Sequence, residues 1–264
     1  MKRRLLIIVG ILLVVMVILN SVFYHEQKIA ILGYHSFYKN ESELNKLDKD
    51  SHEFINDITK FEKQMKYLHK HKYKTLTLDE FYKWKKGEIK VPRKSVLITI
   101  DDGNLSNYMY AFPILKKYNM NAVVFFTGHY AKDFGVEEGT IYDHMSLSLI
   151  DKCKEEYPNI EFESHSFDMH GMDVTHFSEE EIKSDVKKMN SINEFEYYAH
   201  PFGVYNDTII NELKNNNYKM AFGFGPGKEY RKARRSDDDF KVARLNISDK
   251  VSFTKYLLRL YLPF

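Results

Sequence analysis

The sequence predicts an α/β protein in which a parallel β-sheet is covered by helices. Short apolar segments with strand character alternate with segments whose apolar residues recur every three or four positions, giving about seven strand–helix units. The chain has 264 residues, 44% of them apolar, which is enough to bury the core of one large domain. Such a sheet forms either a closed barrel or an open doubly wound sheet. Both place ligands at the carboxyl ends of the strands.

The predicted strands are runs rich in β-branched and aromatic residues. In chain order they cover residues 28–34, 73–78, 95–100, 122–127, 160–163, 196–199, 218–224 and 241–245. The run at 95–100 is almost wholly apolar, as expected for a strand buried on both faces of a parallel sheet.

The predicted helices lie between these strands. The first is indicated by five apolar residues at helical steps, Ile55, Ile58, Phe61, Met65 and Leu68. Ser178, with Glu181 three residues later, predicts a capping box at the start of another. In chain order the helices cover residues 55–68, 108–118, 147–156, 179–192, 207–216 and 253–260.

Residues 1–24 form a separate amino-terminal segment. Residues 5–23 carry no charge, and nineteen helical residues span roughly 28 Å, close to the thickness of a bilayer's hydrocarbon core. The basic residues 2–4 would stay cytoplasmic, which places residues 25–264 outside as a single domain. We favour an uncleaved transmembrane anchor; the alternative is a cleaved signal peptide and a secreted protein, although no clear cleavage site is present. A buried core helix is a poor fit because every face is apolar.

The charge balance argues against nucleic-acid binding. The chain has 39 basic and 37 acidic residues, and without the three basic residues at 2–4 the net charge is −1. A body this balanced lacks the basic surface that a phosphate backbone requires. The single cysteine, Cys153, excludes an internal disulfide, and we expect a monomer.

Two adjacent carboxylates follow the apolar strand at 95–100. Asp101 and Asp102 come directly after it, and Gly103 lets the chain turn immediately. Adjacent strand residues point in different directions, so one carboxylate can hold a metal ion while the other acts as a base beside it. The alternative is an ordinary turn, in which Asp101 caps the next helix and Asp102 is solvated.

Two histidines follow the predicted strand at 160–163. His165 lies at its end and His170 five residues later, so both can converge on one ion. Two neutral imidazoles and a carboxylate such as Asp102 leave coordination positions open for water and substrate. This donor set suits Zn²⁺ best, with Co²⁺, Ni²⁺ or Fe²⁺ as alternatives. A lone histidine would more often be a structural residue, but this spacing at a strand end favours a shared ion.

Two further strand ends carry polar or turn-forming residues. After the strand at 196–199, Pro201 fixes the backbone and Gly203 lets it bend, so the backbone N–H of Phe202 could face a developing oxyanion. In isolation this segment also fits an ordinary turn. His35 lies at the end of the first strand.

These four segments, in this order, resemble the polysaccharide deacetylases with a NodB homology domain, carbohydrate esterase family 4. The family's Thr-Phe-Asp-Asp-Gly motif corresponds to residues 99–103, its metal-binding His-Ser/Thr motif to residues 165–170, and its Arg-x-Pro-Tyr/Phe-Gly motif to residues 199–203. The resemblance extends over about residues 28–260.

One subgroup of this family is especially similar. The five-residue spacing of the histidines resembles the enzymes that deacetylate poly-β-1,6-N-acetylglucosamine, the biofilm exopolysaccharide of intercellular-adhesin systems. Stretches at 113–118, 127–129 and 244–249 agree with the same subgroup. The resemblance implies a distorted (β/α)7 barrel, a divalent metal, an N-acetylglucosamine polymer as substrate and acetate as a product.

The resemblance also implies roles for individual residues. Asp101 corresponds to the general base, and the metal ligands correspond to Asp102, His165 and His170. The backbone at Phe202, next to Pro201, corresponds to the oxyanion and substrate site.

Two family features are missing from the sequence. The arginine that orients the base in many members is Ala199 here, and no histidine follows His200 to act as the usual general acid. His35, the only other histidine at a strand end, is our substitute for that acid.

Other functions fit parts of the pattern. The same mechanism could act on peptidoglycan or a chitin-type β-1,4 glycan, and the missing residues also fit a glycan-binding surface protein with weakened catalysis. A glycoside hydrolase using Asp101 and Asp102 is disfavoured because adjacent residues rarely reach the roughly 5–9.5 Å separation that its carboxylates need.

Overall fold

The computed structural model describes residues 10–16, 26–46, 54–224 and 231–262. Eleven strands occur in these ranges: β1 (Ala30–Tyr34), β2 (Ser36–Tyr38), β3 (Ile55–Asp57), β4 (Lys74–Thr75), β5 (Ser95–Asp102), β6 (Ala122–Phe126), β7 (Ile160–Ser164), β8 (Tyr197–Ala199), β9 (Met220–Gly223), β10 (Val242–Ala243) and β11 (Leu245–Asn246). The α-helices are α1 (Glu41–Leu44), α2 (Ile58–Lys70), α3 (Leu78–Lys86), α4 (Phe112–Lys117), α5 (Leu147–Glu156), α6 (Glu179–Asn190), α7 (Asp207–Asn215) and α8 (Phe253–Tyr261).

The main sheet is a nearly closed barrel of parallel strands. Its hydrogen-bonded order is β10-β9-β8-β7-β6-β5-β1-β11, with β4 paired beside β5. The first and last strands of this order are consecutive in sequence and are separated only by Arg244. The chain therefore runs from one edge of the sheet to the other at this point, which we call the barrel seam. Together, β10 and β11 occupy the position of the seventh strand of the barrel. This architecture agrees with the predicted (β/α)7 barrel.

Strand alternation divides the core into two layers. Leu97 on β5 belongs to a buried cluster with alternate residues of the other barrel strands and with Phe81 and Trp84 of α3. Ile98 and Ile100 belong to a larger cluster that includes residues of the outer helices. Consecutive residues of β5 thus face opposite sides of the barrel wall, and the same alternation separates the two aspartates at its end.

Most predicted elements form close to their expected bounds. The helix predicted at 147–156 has those ends, and the predicted capping box of α6 is present between Ser178 and Glu181. The helix predicted from residue 55 was wrong at its start, because Ile55 lies in β3 and Asp57 caps a helix that begins at Ile58.

The predicted strand at 73–78 was wrong over its second half. Only Lys74–Thr75 pair as a strand, and α3 begins at Leu78 with a capping box between Thr77 and Glu80. The sequence carried this signal: Thr77 precedes Glu80 by three residues, and Gly87 ends the helix in the left-handed conformation.

The predicted membrane anchor covers residues 1–24, most of which lie outside the described residues. Residues 10–16 are described as an exposed helical stretch. Over the ranges that the structure describes, no helix combines the length and the apolar character needed to cross a bilayer.

Candidate active site

The two aspartates occupy the carboxyl end of β5 and face different surroundings. Asp101 is buried, whereas Asp102 is partly exposed in a cavity of about 540 Å³. Asp102 has φ 73° and Gly103 has φ 75°, so the chain turns sharply at once. A Cβ on Gly103 would lie 2.7 Å from Cβ of Phe126, which explains why glycine is needed there.

Asp102, His165 and His170 meet at the floor of this cavity. One potential ligand atom from each residue lies within 4.8 Å of the other two. Oδ1 of Asp102 lies 3.0 Å from Nε2 of His170 and 3.6 Å from Nε2 of His165, yet it makes no hydrogen bond of normal geometry with the described residues. Close approach without hydrogen bonding fits three donors that share one cation. The structure thus brings the three predicted ligands together as a possible metal site.

The hydrogen bond on the far side of His165 fixes the orientation of its ring. Its Nδ1 lies 2.8 Å from the carbonyl oxygen of Ala199, which can only accept, so Nδ1 carries the proton and Nε2 faces the cavity with a free lone pair. Burial lowers the pKa of His165 to about 4, which keeps the ring neutral near pH 7. A neutral imidazole is the form that binds a metal.

The carboxylate partner is also in its ligand form. Burial alone would raise the pKa of Asp102, but the neighbouring histidines, His170 first, outweigh burial and hold the pKa well below its usual range. Burial likewise opposes the charged form of His170, and the Asp102 carboxylate reverses this and raises its pKa. Asp102 thus supplies negative charge to the site, and a cation bound there would displace the proton that the carboxylate favours on His170.

Backbone strain is concentrated at the same place. Six non-glycine residues of the described chain have positive φ, and three of them, Lys72, Asn119 and Asn217, lie just beyond the ends of helices, where this conformation is common. The other three are Asp102, Ser166 and Phe202. Each of these belongs to a different predicted motif at the cavity. Strain that persists at a site needs support from its surroundings, and it often marks function.

Arg244 is a buried residue of the site that the sequence did not single out. Its two terminal nitrogens donate to the two carboxylate oxygens of Asp101 at 2.6 and 2.8 Å, and both side chains are at most 1% exposed. Burial would raise the pKa of Asp101, but the charge of Arg244, aided by His165 and His35, holds it below its usual value. Ala199 stands where the family motif has an arginine. Arg244 supplies a guanidinium from the barrel seam instead.

His35 lies on the other side of Asp101. Its Nε2 is 3.8 Å from Oδ2 of Asp101, and its Nδ1 has no hydrogen-bond partner among the described residues. The ring borders the cavity and lies near the rings of Phe54 and Phe224, with centroids 5.0 and 6.3 Å away. The placement agrees with the predicted strand end.

Phe202 lines the cavity as well, and Pro201 lies buried beside it. They belong to a short 3₁₀ turn (Pro201–Gly203) after β8, and the Phe202 ring is half exposed. That ring stacks on His170, with a centroid separation of 5.6 Å. The predicted oxyanion segment therefore lies directly beside the possible metal site.

Comparisons with known proteins agree on one family. The family described as polysaccharide deacetylase matches residues 88–221. A poly-beta-1,6-N-acetyl-D-glucosamine N-deacetylase of Staphylococcus aureus is 30% identical over 248 residues, covering 86% of this chain and 81% of the relative. The protein of the same description in Staphylococcus epidermidis is 29% identical with the same coverage.

Solved structures agree in fold. The Streptococcus pyogenes deacetylase PplD, solved with acetate, has a TM-score of 0.75 at 20% identity, covering 90% of this chain and all of that one. IcaB from Ammonifex degensii has a TM-score of 0.71 at 21% identity, covering 89% and 98% of the two chains.

The barrel and the cluster at its rim define an α/β-barrel hydrolase with a possible metal site at the carboxyl ends of its strands. The comparisons identify it further: the chain belongs to the polysaccharide deacetylase family, whose members are carbohydrate esterase family 4 hydrolases.

Proposed function

We propose that this protein is a metal-dependent enzyme that removes N-acetyl groups from poly-β-1,6-N-acetyl-D-glucosamine outside the cytoplasm, releasing acetate. The observation that carries the proposal is the convergence of Asp102, His165 and His170 beside the buried Asp101–Arg244 pair. The substrate is inferred from the curated relatives of that description. Deacetylation exposes amines and gives the polymer positive charge, which favours adhesion to anionic surfaces.

The donor set supports Zn²⁺ as the resident ion, with Co²⁺, Ni²⁺ or Fe²⁺ as chemically reasonable substitutes. When bound, such an ion lowers the pKa of water and polarises a carbonyl. The protein's own contribution begins with Asp101, which would take a proton from the attacking water. Arg244 occupies one lone pair on each carboxylate oxygen, and the other stays available to accept.

Two further residues at the cavity, Phe202 and His35, would stabilise the oxyanion and protonate the leaving amine. The backbone N–H of Phe202, next to Pro201, would donate to the oxygen that gains charge in the transition state. His35 would give a proton to the departing sugar amine, since it borders the cavity beside Asp101.

Acetate release from defined oligomers tests the polymer. We expect the metal-loaded protein to act on β-1,6-linked N-acetylglucosamine oligomers at least about tenfold faster than on β-1,4-linked ones, which corresponds to about 1.4 kcal/mol of discrimination. Faster release from β-1,4 oligomers would favour peptidoglycan or chitin-type substrates. Oligomer binding without acetate release, in protein shown to carry its metal, would indicate a glycan-binding protein.

Replacing Arg244 with methionine is expected to weaken both folding and catalysis. Asp101 would become an unpaired buried carboxylate, which costs about 3–5 kcal/mol of unfolding free energy. Burial would then raise the pKa of Asp101, so the acidic limb of the pH profile of kcat should move to higher pH. Urea unfolding and the pH profile measure the two effects.

The matched control is Arg231→Met. Arg231 also binds an aspartate through both oxygens, Asp237, but its side chain is more exposed. We expect it to keep the pH profile and to lose less stability. An unshifted profile in Arg244→Met would contradict the positioning role.

Replacing His35 with glutamine should lower kcat by about 10²–10⁴-fold, the usual contribution of a general acid. His176→Gln is the control, since His176 is exposed and pairs with Asp173. Wild-type kinetics in His35→Gln would remove this residue from the mechanism.

We also propose that residues 1–24 anchor the chain in the membrane, with residues 25–264 forming one monomeric deacetylase domain. The uncharged stretch at 5–23 supports the anchor. Fractionation of the full chain and of a version lacking residues 1–24 tests it: only the full chain should sediment with membranes.

A further inference from the structure

We infer that Asp185 is a positioning residue for the metal site: it holds the loop between His165 and His170 in the shape that lets both rings face Asp102. This inference rests on the proposed function, because it concerns the same metal site. Asp185 lies on α6 and is not among the residues that line the cavity. Its hydrogen bonds within the described residues go to backbone N–H groups of Phe167, Asp168 and Met169, not to the three proposed ligands.

The carboxylate accepts hydrogen bonds from three successive backbone N–H groups of the ligand loop. Oδ2 accepts from Phe167 at 2.9 Å, and Oδ1 accepts from Asp168 at 2.7 Å and Met169 at 3.1 Å. Successive N–H groups that point the same way form a concave anion site, and here the protein fills it with its own carboxylate. Those N–H groups lie beyond β7, so no sheet satisfies them.

The other side of the loop is fixed by carbonyl groups. The carbonyl oxygen of Ser166 accepts from the N–H of Gly128 at 3.0 Å, and that of Phe167 accepts from the N–H of His129 at 2.7 Å. The loop is therefore held between the end of β6 and Asp185. This double attachment supports the positive φ of Ser166, the residue directly after the first histidine.

Asp185 holds the backbone of the segment that joins the two histidines. His165 is fixed by its own bond to Ala199, whereas His170 is one residue beyond the last N–H that Asp185 holds. Asp185 is only 5% exposed, and its three partners here are all neutral backbone groups. Without the carboxylate, three buried or partly buried N–H groups lose their acceptor. Leaving them unpaired costs free energy, so we expect the loop to change its conformation.

Metal affinity of two Asp185 variants tests this assignment. Asp185→Ala removes every acceptor, and Asp185→Asn keeps the volume and one carbonyl oxygen, so it serves if the alanine variant does not fold. We expect the dissociation constant for Zn²⁺, measured by competition with a chromophoric chelator on the detergent-solubilised full chain, to rise about 10–100-fold. The effect should be smaller in Asp185→Asn. The visible absorption of the Co²⁺-loaded protein should change as well.

Glu161→Gln is the matched control. Glu161 is a partly buried carboxylate that, like Asp185, accepts a backbone N–H, but its donor is Leu78 at the start of α3 and not a residue of the ligand loop. We expect it to lower thermal stability without changing Zn²⁺ affinity or the Co²⁺ spectrum.

The outcomes separate the inference from the proposed function. Zn²⁺ affinity and a Co²⁺ spectrum like those of the wild type, in folded Asp185 variants, would overturn the positioning role and leave the proposed function intact. An equal loss of affinity in Glu161→Gln would also overturn it, because the effect would then follow general stability. A wild-type chain that binds no metal would overturn the proposed function and this inference with it.

Discussion

Replacing His165 with alanine is expected to abolish metal binding and acetate release together. The change removes a buried neutral imidazole whose tautomer is fixed by Ala199, and it leaves only Asp102 and His170 of the three clustered donors. The loss should exceed the roughly 10–100-fold effects that follow changes behind a metal site. Metal content after dialysis and acetate release from β-1,6 oligomers measure the two effects.

Asp102→Asn should give the same double loss, because an amide oxygen replaces the only anionic ligand of the three. His176→Ala, an exposed histidine nearby in sequence, is the control and should retain both properties. A His165→Ala enzyme that keeps its activity would exclude this residue as a required ligand.

Replacing Asp101 with asparagine is expected to separate catalysis from metal binding. The acetate-release rate should fall by about 10²–10⁴-fold, because asparagine cannot accept the proton of the attacking water. Zn²⁺ should still bind, since the three proposed ligands remain. Measuring kcat and the Zn²⁺ dissociation constant on the same preparation gives this comparison.

A stability control is needed for this variant. Arg244 would lose its buried carboxylate partner, which costs about 3–5 kcal/mol. Assays should therefore use protein with a native near-ultraviolet circular dichroism spectrum. The double variant Asp101→Asn with Arg244→Met should recover part of the stability and none of the activity. Full activity in folded Asp101→Asn would assign the base to another group.

The sequence could predict the convergence of Asp102, His165 and His170 because it follows from a local rule. The carboxyl ends of parallel strands lie at one rim of the barrel. Once a strand is recognised in the sequence, a polar residue just after it can therefore be assigned to that rim. The strand at 95–100 was clear from its apolar run, and His165 follows β7 in the same way. Knowing the register between strands was unnecessary.

Arg244 could not be assigned in this way because its partner depends on closure of the barrel. It separates β10 from β11, which pair with strands at opposite ends of the sheet order, and only that geometry brings it to Asp101. The strand pattern offered one signal: Arg244 is a charged residue inside the predicted strand at 241–245, and a charged residue must be paired if it is buried. Asp185 could not be singled out either, because its partners come from a distant loop. In the sequence it is one more acidic residue on a helix whose first turn already contains three.

The most direct measurement of the central claim is a metal titration of the full chain after complete removal of divalent ions by a chelator. Acetate release from β-1,6-linked N-acetylglucosamine oligomers should be absent at first. It should rise in proportion to added Zn²⁺ and level off at one ion per chain, because one set of three ligands is proposed. Undiminished release from the metal-free protein would contradict the account.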